Sequence, residues 1–161
     1  MWDLLLFALD QYESGQTALG FVTELAAAND CEVRVLHIRE FSHLGRVPPI
    51  ETQEDAEELV ADAVVRLRMS GVGAAGRSRP SLRDRVPQRI VEEAMLHECD
   101  AIVLGSRRLH GYARLSAQGV RERVVRLSDL PLIIAPTSPS NGFVSPQELR
   151  SMVSRSGRAE Q

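Results

Sequence analysis

The stretch from Val103 to Val120, VLGSRRLHGYARLSAQGV, sets a glycine and a serine directly after an apolar run. A strand that ends in Gly105-Ser106 and then leads into a helix has the outline of a phosphate cradle. Backbone N–H groups and a helix N-terminus together attract anions. The competing reading is an ordinary strand-to-helix turn that uses Gly105 only for its backbone freedom. Spacing alone favours the ordinary turn, since neither GxGxxG nor GxxxxGK[ST] is present. Arg107, Arg108 and Arg114 crowd the same loop, and guanidinium groups suit a phosphate as well as they suit solvent. Asp10 is the second polar signal. At the end of an apolar run it either accepts hydrogen bonds from a ribose or an adenine amine, or caps the turn that follows.

Other chemistry-bearing residues form no set. His110 is the one histidine in a loop placed for chemistry, and His37, inside an apolar run, reads as a core or rim residue. His43, His97, Cys31 and Cys99 lack metal-ligand spacing. No Ser or Cys can be joined to a His and an acid as a nucleophile. All 19 basic residues are arginine, which excludes a Schiff-base lysine, a phosphate-loop lysine and a lysine general base. The acids of ETQEDAEE (51–58) are sufficiently explained by the dipole of the helix they open.

The elements that position these residues follow from hydrophobic periodicity. DLLLFALD (3–10) predicts a strand buried on both faces. Ala18, Phe21, Val22, Leu25 and Ala28 predict a helix capped by Ser14. CEVRVLHI (31–38) is a second strand, and HLGRVPPI (43–50) a loop. Ala56, Leu59, Val60, Ala63, Val64 and Leu67 give a helix that Gly71 stops. VGAAGR (72–77) is a weak strand and SRPSLRDRVP a charged loop. Pro87 fits the first turn of a helix carrying Ile90, Val91, Ala94 and Met95. AIVL (101–104) is a buried strand, a helix runs from about 116 to 127 with Glu122 and Arg126 as a surface pair, and PLIIA (131–135) is the last strand.

Strand and helix alternate through five strands, so the expected class is α/β, a parallel sheet with helices on both faces. Ligands on such sheets bind beyond the carboxyl ends of the strands. If the strand order is 3-2-1-4-5, Asp10 and Gly105 end neighbouring strands and face one crevice.

Composition bounds the rest. The chain has 161 residues, 43% hydrophobic, enough for one domain with a real core. A net charge of -3 gives no reason to expect nucleic acid or a membrane as partner. Two lone thiols read as core residues. With no signal peptide and no apolar run of spanning length, the expected location is the cytoplasm. Residues 1–136 form the domain. Residues 137–161 are rich in Pro, Ser and Gly and read as a flexible tail with a short helix at 146–154.

Taken in order, these features resemble the universal stress protein family over about residues 3–136. The matching pieces are LLFALD, VRVLHI, IVEEAMLHECDAIVLGSR and VRERVVRLSDLPLIIAP. The resemblance implies a Rossmann-like sheet of five parallel strands in the order 3-2-1-4-5. It also implies a homodimer formed edge to edge by the last strand, Pro131 to Pro136, which is a suitable apolar edge to cover. Members that bind ATP carry the loop G-x2-G-x9-G-[ST]. On this chain the first glycine is Gly105, the second falls on Arg108, the third on Gln118 and the hydroxyl residue on Gly119. Asp10 matches the acid near the adenosine, and the backbone at Ile38 would lie beside the base.

Arg108 obstructs close approach of backbone to phosphate, Gln118 fills space, and Gly119 offers no hydroxyl. Arg108 folded over a phosphate, with the N–H of Gly119, would act in the opposite sense. The favoured expectation is a dimeric stress-response regulator or scaffold that works without ATP and has no cofactor. The alternative is an ATP or AMP sensor, with or without magnesium, in the crevice between strands 1 and 4. An ATP-hydrolysing or adenylyl-transferring enzyme needs a base or metal-ligand set that the sequence does not assemble, and a phospho-acceptor receiver needs clustered acids and a lysine.

Overall fold

The computed structural model describes residues 1–11, 13–41, 51–105 and 119–136. The elements run β1 (Leu4–Leu9), α1 (Glu13–Asn29), β2 (Glu32–Phe41), α2 (Gln53–Met69), β3 (Ala74–Leu82), a 3-10 turn (Arg83–Arg85), α3 (Val86–Leu96), β4 (Ala101–Gly105), α4 (Val120–Leu127) and β5 (Leu132–Ala135). All four strand pairs are parallel, and the order is β3-β2-β1-β4-β5. The expected α/β sheet and its order are both present. Among the described residues no helix is long and apolar enough to cross a membrane. The tail and its suggested helix at 146–154 lie outside the described residues.

Side chains alternate across a strand, so each face of the sheet collects one parity. Leu5, Phe7, Leu9, Val33, Val35, Ala101 and Val103 pack with Val22, Ala26, Val60, Ala63 and Leu67 of α1 and α2. Leu6, Leu36, Ile102 and Leu104 pack with Ile90, Val91 and Ala94 of α3 and Val124 of α4. Cys31 and Cys99 are free and buried, one in each core, as small apolar residues would be.

Helix ends follow local chemistry. Thr52 caps α2 by accepting from the N–H of Asp55, while the Asp55 carboxylate accepts from the N–H of Thr52, a reciprocal capping box. Gly71 follows α2 at φ 82, the left-handed conformation that the stop signal required. Pro87 lies in the first turn of α3, where its missing N–H costs nothing.

Four expectations need correction. Helix α1 begins at Glu13, so Ser14 sits inside its first turn and is not its cap. Strand β2 continues to Phe41, and the first half of the charged loop at 78–87 is strand. The reason is pairing: Ser78 to Leu82 lie in register with His37 to Phe41, and an edge strand tolerates Pro80 and charged residues. The surface pair Glu122–Arg126 is absent. Glu122 turns back over Gly119 instead.

Candidate functional site

Three adjacent strands end together. Leu9 lies level with His37, and Ala8 lies level with Leu104. One step on, Asp10 flanks Ile38, and Gly105 stands level with Leu9. All three are partly buried. The carboxyl ends of β2, β1 and β4 thus bring Asp10, Ile38 and Gly105 to one crevice, as expected for an open parallel sheet. Arg108, Gln118 and His110 lie outside the described residues, as do Arg107 and Arg114.

Gly119 caps α4 with extended backbone, φ -61 and ψ 158, and its helix has no side-chain cap. A Cβ placed on Gly119 would stand 2.7 Å from Oε2 of Glu122. The carboxylate of this first-turn residue therefore lies over the cap. A carboxylate there is favourable, because the N–H groups and dipole of the helix end attract negative charge. A phosphate would be drawn to the same helix end by the same N–H groups and dipole.

Beneath the crevice lies a polar contact that sequence reasoning missed. His37 is 3% exposed. Its Nδ1 is 2.8 Å from the Leu9 carbonyl oxygen, and its Nε2 is 2.6 Å from Glu51 Oε1. Both ring nitrogens thus face oxygen atoms, the Leu9 carbonyl on one side and the Glu51 carboxylate on the other. The contact ties the end of β1, next to Asp10, to the residue that precedes the α2 cap. Its sequence signal was a histidine at a buried strand position, and its partner was hidden among acids ascribed to the helix dipole.

Among the described residues, no group of three His, Cys, Asp or Glu side chains could hold a metal ion.

Comparison with known proteins decides the family. The model of the universal stress protein family matches residues 1–136. The chain belongs to the universal stress protein family. No curated protein matches it in sequence. Among solved structures it is similar to a universal stress protein family member from Burkholderia pseudomallei, at 22% identity and a TM-score of 0.64 over 83% of this chain and 96% of that one. A universal stress protein from Archaeoglobus fulgidus in complex with dAMP matches at 24% identity and a TM-score of 0.58, covering 83% and 98% of the two chains. A family protein from Arabidopsis thaliana with AMP bound matches at 16% identity and a TM-score of 0.61, covering 90% and 99%. At these identities the likeness speaks for the universal stress protein fold.

Proposed function

We propose that this universal stress protein acts as a regulator or scaffold that does not depend on ATP. The observation that carries this reading is the Glu122 carboxylate over Gly119, at the helix end that would otherwise receive phosphate. The replacement of the second and third loop glycines by Arg108 and Gln118 points the same way.

The second reading is an adenine-nucleotide sensor. It is favoured by the convergence of Asp10, Ile38 and Gly105, and by two structural relatives that carry dAMP and AMP. The two readings separate in calorimetric titration of the purified chain with AMP and ATP, with and without magnesium. The first expects no saturable heat in the wild type and binding after Glu122→Ala combined with Gly119→Ser. Saturable wild-type binding that Asp10→Ala abolishes would establish the second reading instead.

The working unit in this proposal is a homodimer joined through β5. Ile102 N–H donates to the Pro131 carbonyl at 2.9 Å, so odd-numbered backbone groups of β5 serve β4 and those of Leu132 and Ile134 point to the open edge. Ile134 is 38% exposed on that edge. Sedimentation should show a dimer for the wild type and a monomer for Ile134→Pro, which removes one outward donor.

A further inference from the structure

Three arginines share the sheet face beneath α3. Arg34 on β2 lies level with Ala75, while Arg77 and Arg79 on β3 lie level with Leu36 and Ile38, all of one parity. The acid that faces them is Glu93 of α3, its side chain only 3% exposed. Arg77 Nε donates to its Oε2 at 2.9 Å, and Arg79 Nε donates to its Oε1 at 2.9 Å. Arg77 also reaches His97 Nε2 at 3.0 Å. A guanidinium only donates, so His97 must offer a lone pair there and is neutral. Cys99 adds no charge, because burial pushes its thiol up to about 11.

Arg34 stands apart. Its Nε is buried without a hydrogen-bond partner among the described residues. The register sets it on the same sheet face as Arg77 and Arg79, and its charge helps hold the His97 imidazole down. Arg77 and Arg79 share the Glu93 carboxylate, while Arg34 on the same face has no part in that pair, so positive charge is in excess here. Buried donors are almost always satisfied, and an orphan in a cluster of like charge asks for an acceptor. The side chains of Arg77 and Arg79 remain 35% and 39% exposed, so the cluster is open to solvent.

We propose that this face binds a small oxyanion, a phosphate dianion either free or at the end of a phosphate monoester. Arg34 is its anchoring donor, and Arg77 and Arg79 flank it. An oxyanion answers the excess positive charge and accepts from a planar fork as carboxylates do. The site is separate from the crevice, which lies at the carboxyl ends of β1, β2 and β4; Arg34 is the third residue of β2. It stands whether or not the crevice holds a nucleotide.

The test is nuclear magnetic resonance of the arginine Nε–H groups in the full chain. Inorganic phosphate and phenyl phosphate are titrated separately at constant ionic strength, with chloride as the control. Saturable shifts at Arg34, Arg77 and Arg79 are expected, unaltered by Asp10→Ala. Arg34→Met should abolish saturation, and Arg34→Lys should weaken binding about tenfold, since an ammonium lacks the fork. Tighter binding of inorganic phosphate identifies the free ion, and tighter binding of phenyl phosphate a monoester; both support the site. Equal shifts with chloride, or an unchanged phosphate response in Arg34→Met, would overturn it. If Arg34→Met does not fold, Arg79→Gln on the exposed rim serves: weakened binding supports the proposal and unchanged binding refutes it.

Discussion

The two faces of the sheet differ in what they bury. Under α1 and α2, strand residues Leu5, Phe7, Val33, Val35 and Val103 form an apolar layer across β2, β1 and β4. Under α3 and α4 the layer is apolar only in part. Leu6, Leu36, Ile102 and Leu104 are buried there, but outer positions of the same parity on β2 and β3 hold Arg34, Arg77 and Arg79, the last two bound to Glu93. Central strands must be apolar on both sides because helices cover both. An outer strand with one partly open face can carry charge, provided that a helix brings the counter-charge.

The comparison breaks hardest on the apolar face. Phe7 is fully buried in the centre of the sheet. Phe7→Ala should cost about 3–5 kcal/mol, lost transfer energy plus a cavity that its neighbours cannot fill. Denaturant unfolding monitored by circular dichroism checks this. A loss below about 1 kcal/mol would mean that this layer collapses freely, contrary to its close packing.

The charged face should respond next. Glu93→Gln leaves two guanidinium groups without their shared anion. A fully buried pair broken this way costs about 3–5 kcal/mol, but both arginines keep a third of their surface in water, so about 2–3 kcal/mol is expected. Adding Arg79→Gln should recover part of the loss, since repulsion falls with each cation removed. Failure to recover any would place the cost in packing and not in charge.

A smaller effect probes the junction between β3 and the apolar face. A Cβ on Gly76 would stand 2.7 Å from Val60 Cγ1 and 2.9 Å from the Val35 carbonyl oxygen. The backbone oxygen is fixed by the sheet, so Gly76→Ala should cost about 1–2 kcal/mol by overpacking. Val60→Ala in the same chain should relieve only the side-chain half of the clash.

These contrasts also mark how far the sequence could be read. Strands β1 and β4 were legible because unbroken apolar runs have few other meanings, and α2 because six apolar residues kept helical spacing. The second half of β3 was not. SRPSL (78–82) holds an arginine and a proline, and it becomes strand only because β2 offers it a register and Glu93 offers Arg79 a counter-charge. Both reasons are tertiary. Asp10, Ile38 and Gly105 were legible as a group because strand ends converge by topology. The pairing of Glu51 with His37 was not, because the two are 14 residues apart with the 43–50 loop between them. Glu122 was misread for the opposite reason: local spacing offered Arg126 as partner, and the helix end competed better.

The last and smallest effect sharpens the charged face by pH. Burial, then the charges of Arg34 and Arg77, hold the His97 imidazole below its ordinary value of 6.5. The unfolded chain therefore takes up this proton first. The contribution is complete above pH 6.5 and is lost as pH falls from there through the folded value. Glu93 follows lower down. Burial raises its carboxyl, but the hydrogen bonds and charges of Arg77 and Arg79 outweigh that and hold it below 4.5. Its contribution is present above 4.5 and is lost as pH falls through the folded value. His97→Gln removes the first loss and keeps the second. The difference in unfolding free energy between wild type and His97→Gln should thus be flat above pH 6.5, shrink just below it, and level off before Glu93 titrates. A difference constant from pH 7 to 5 would mean that His97 is as easily protonated in the fold as outside it, and the excess of positive charge around it would have to be smaller than the three arginines imply.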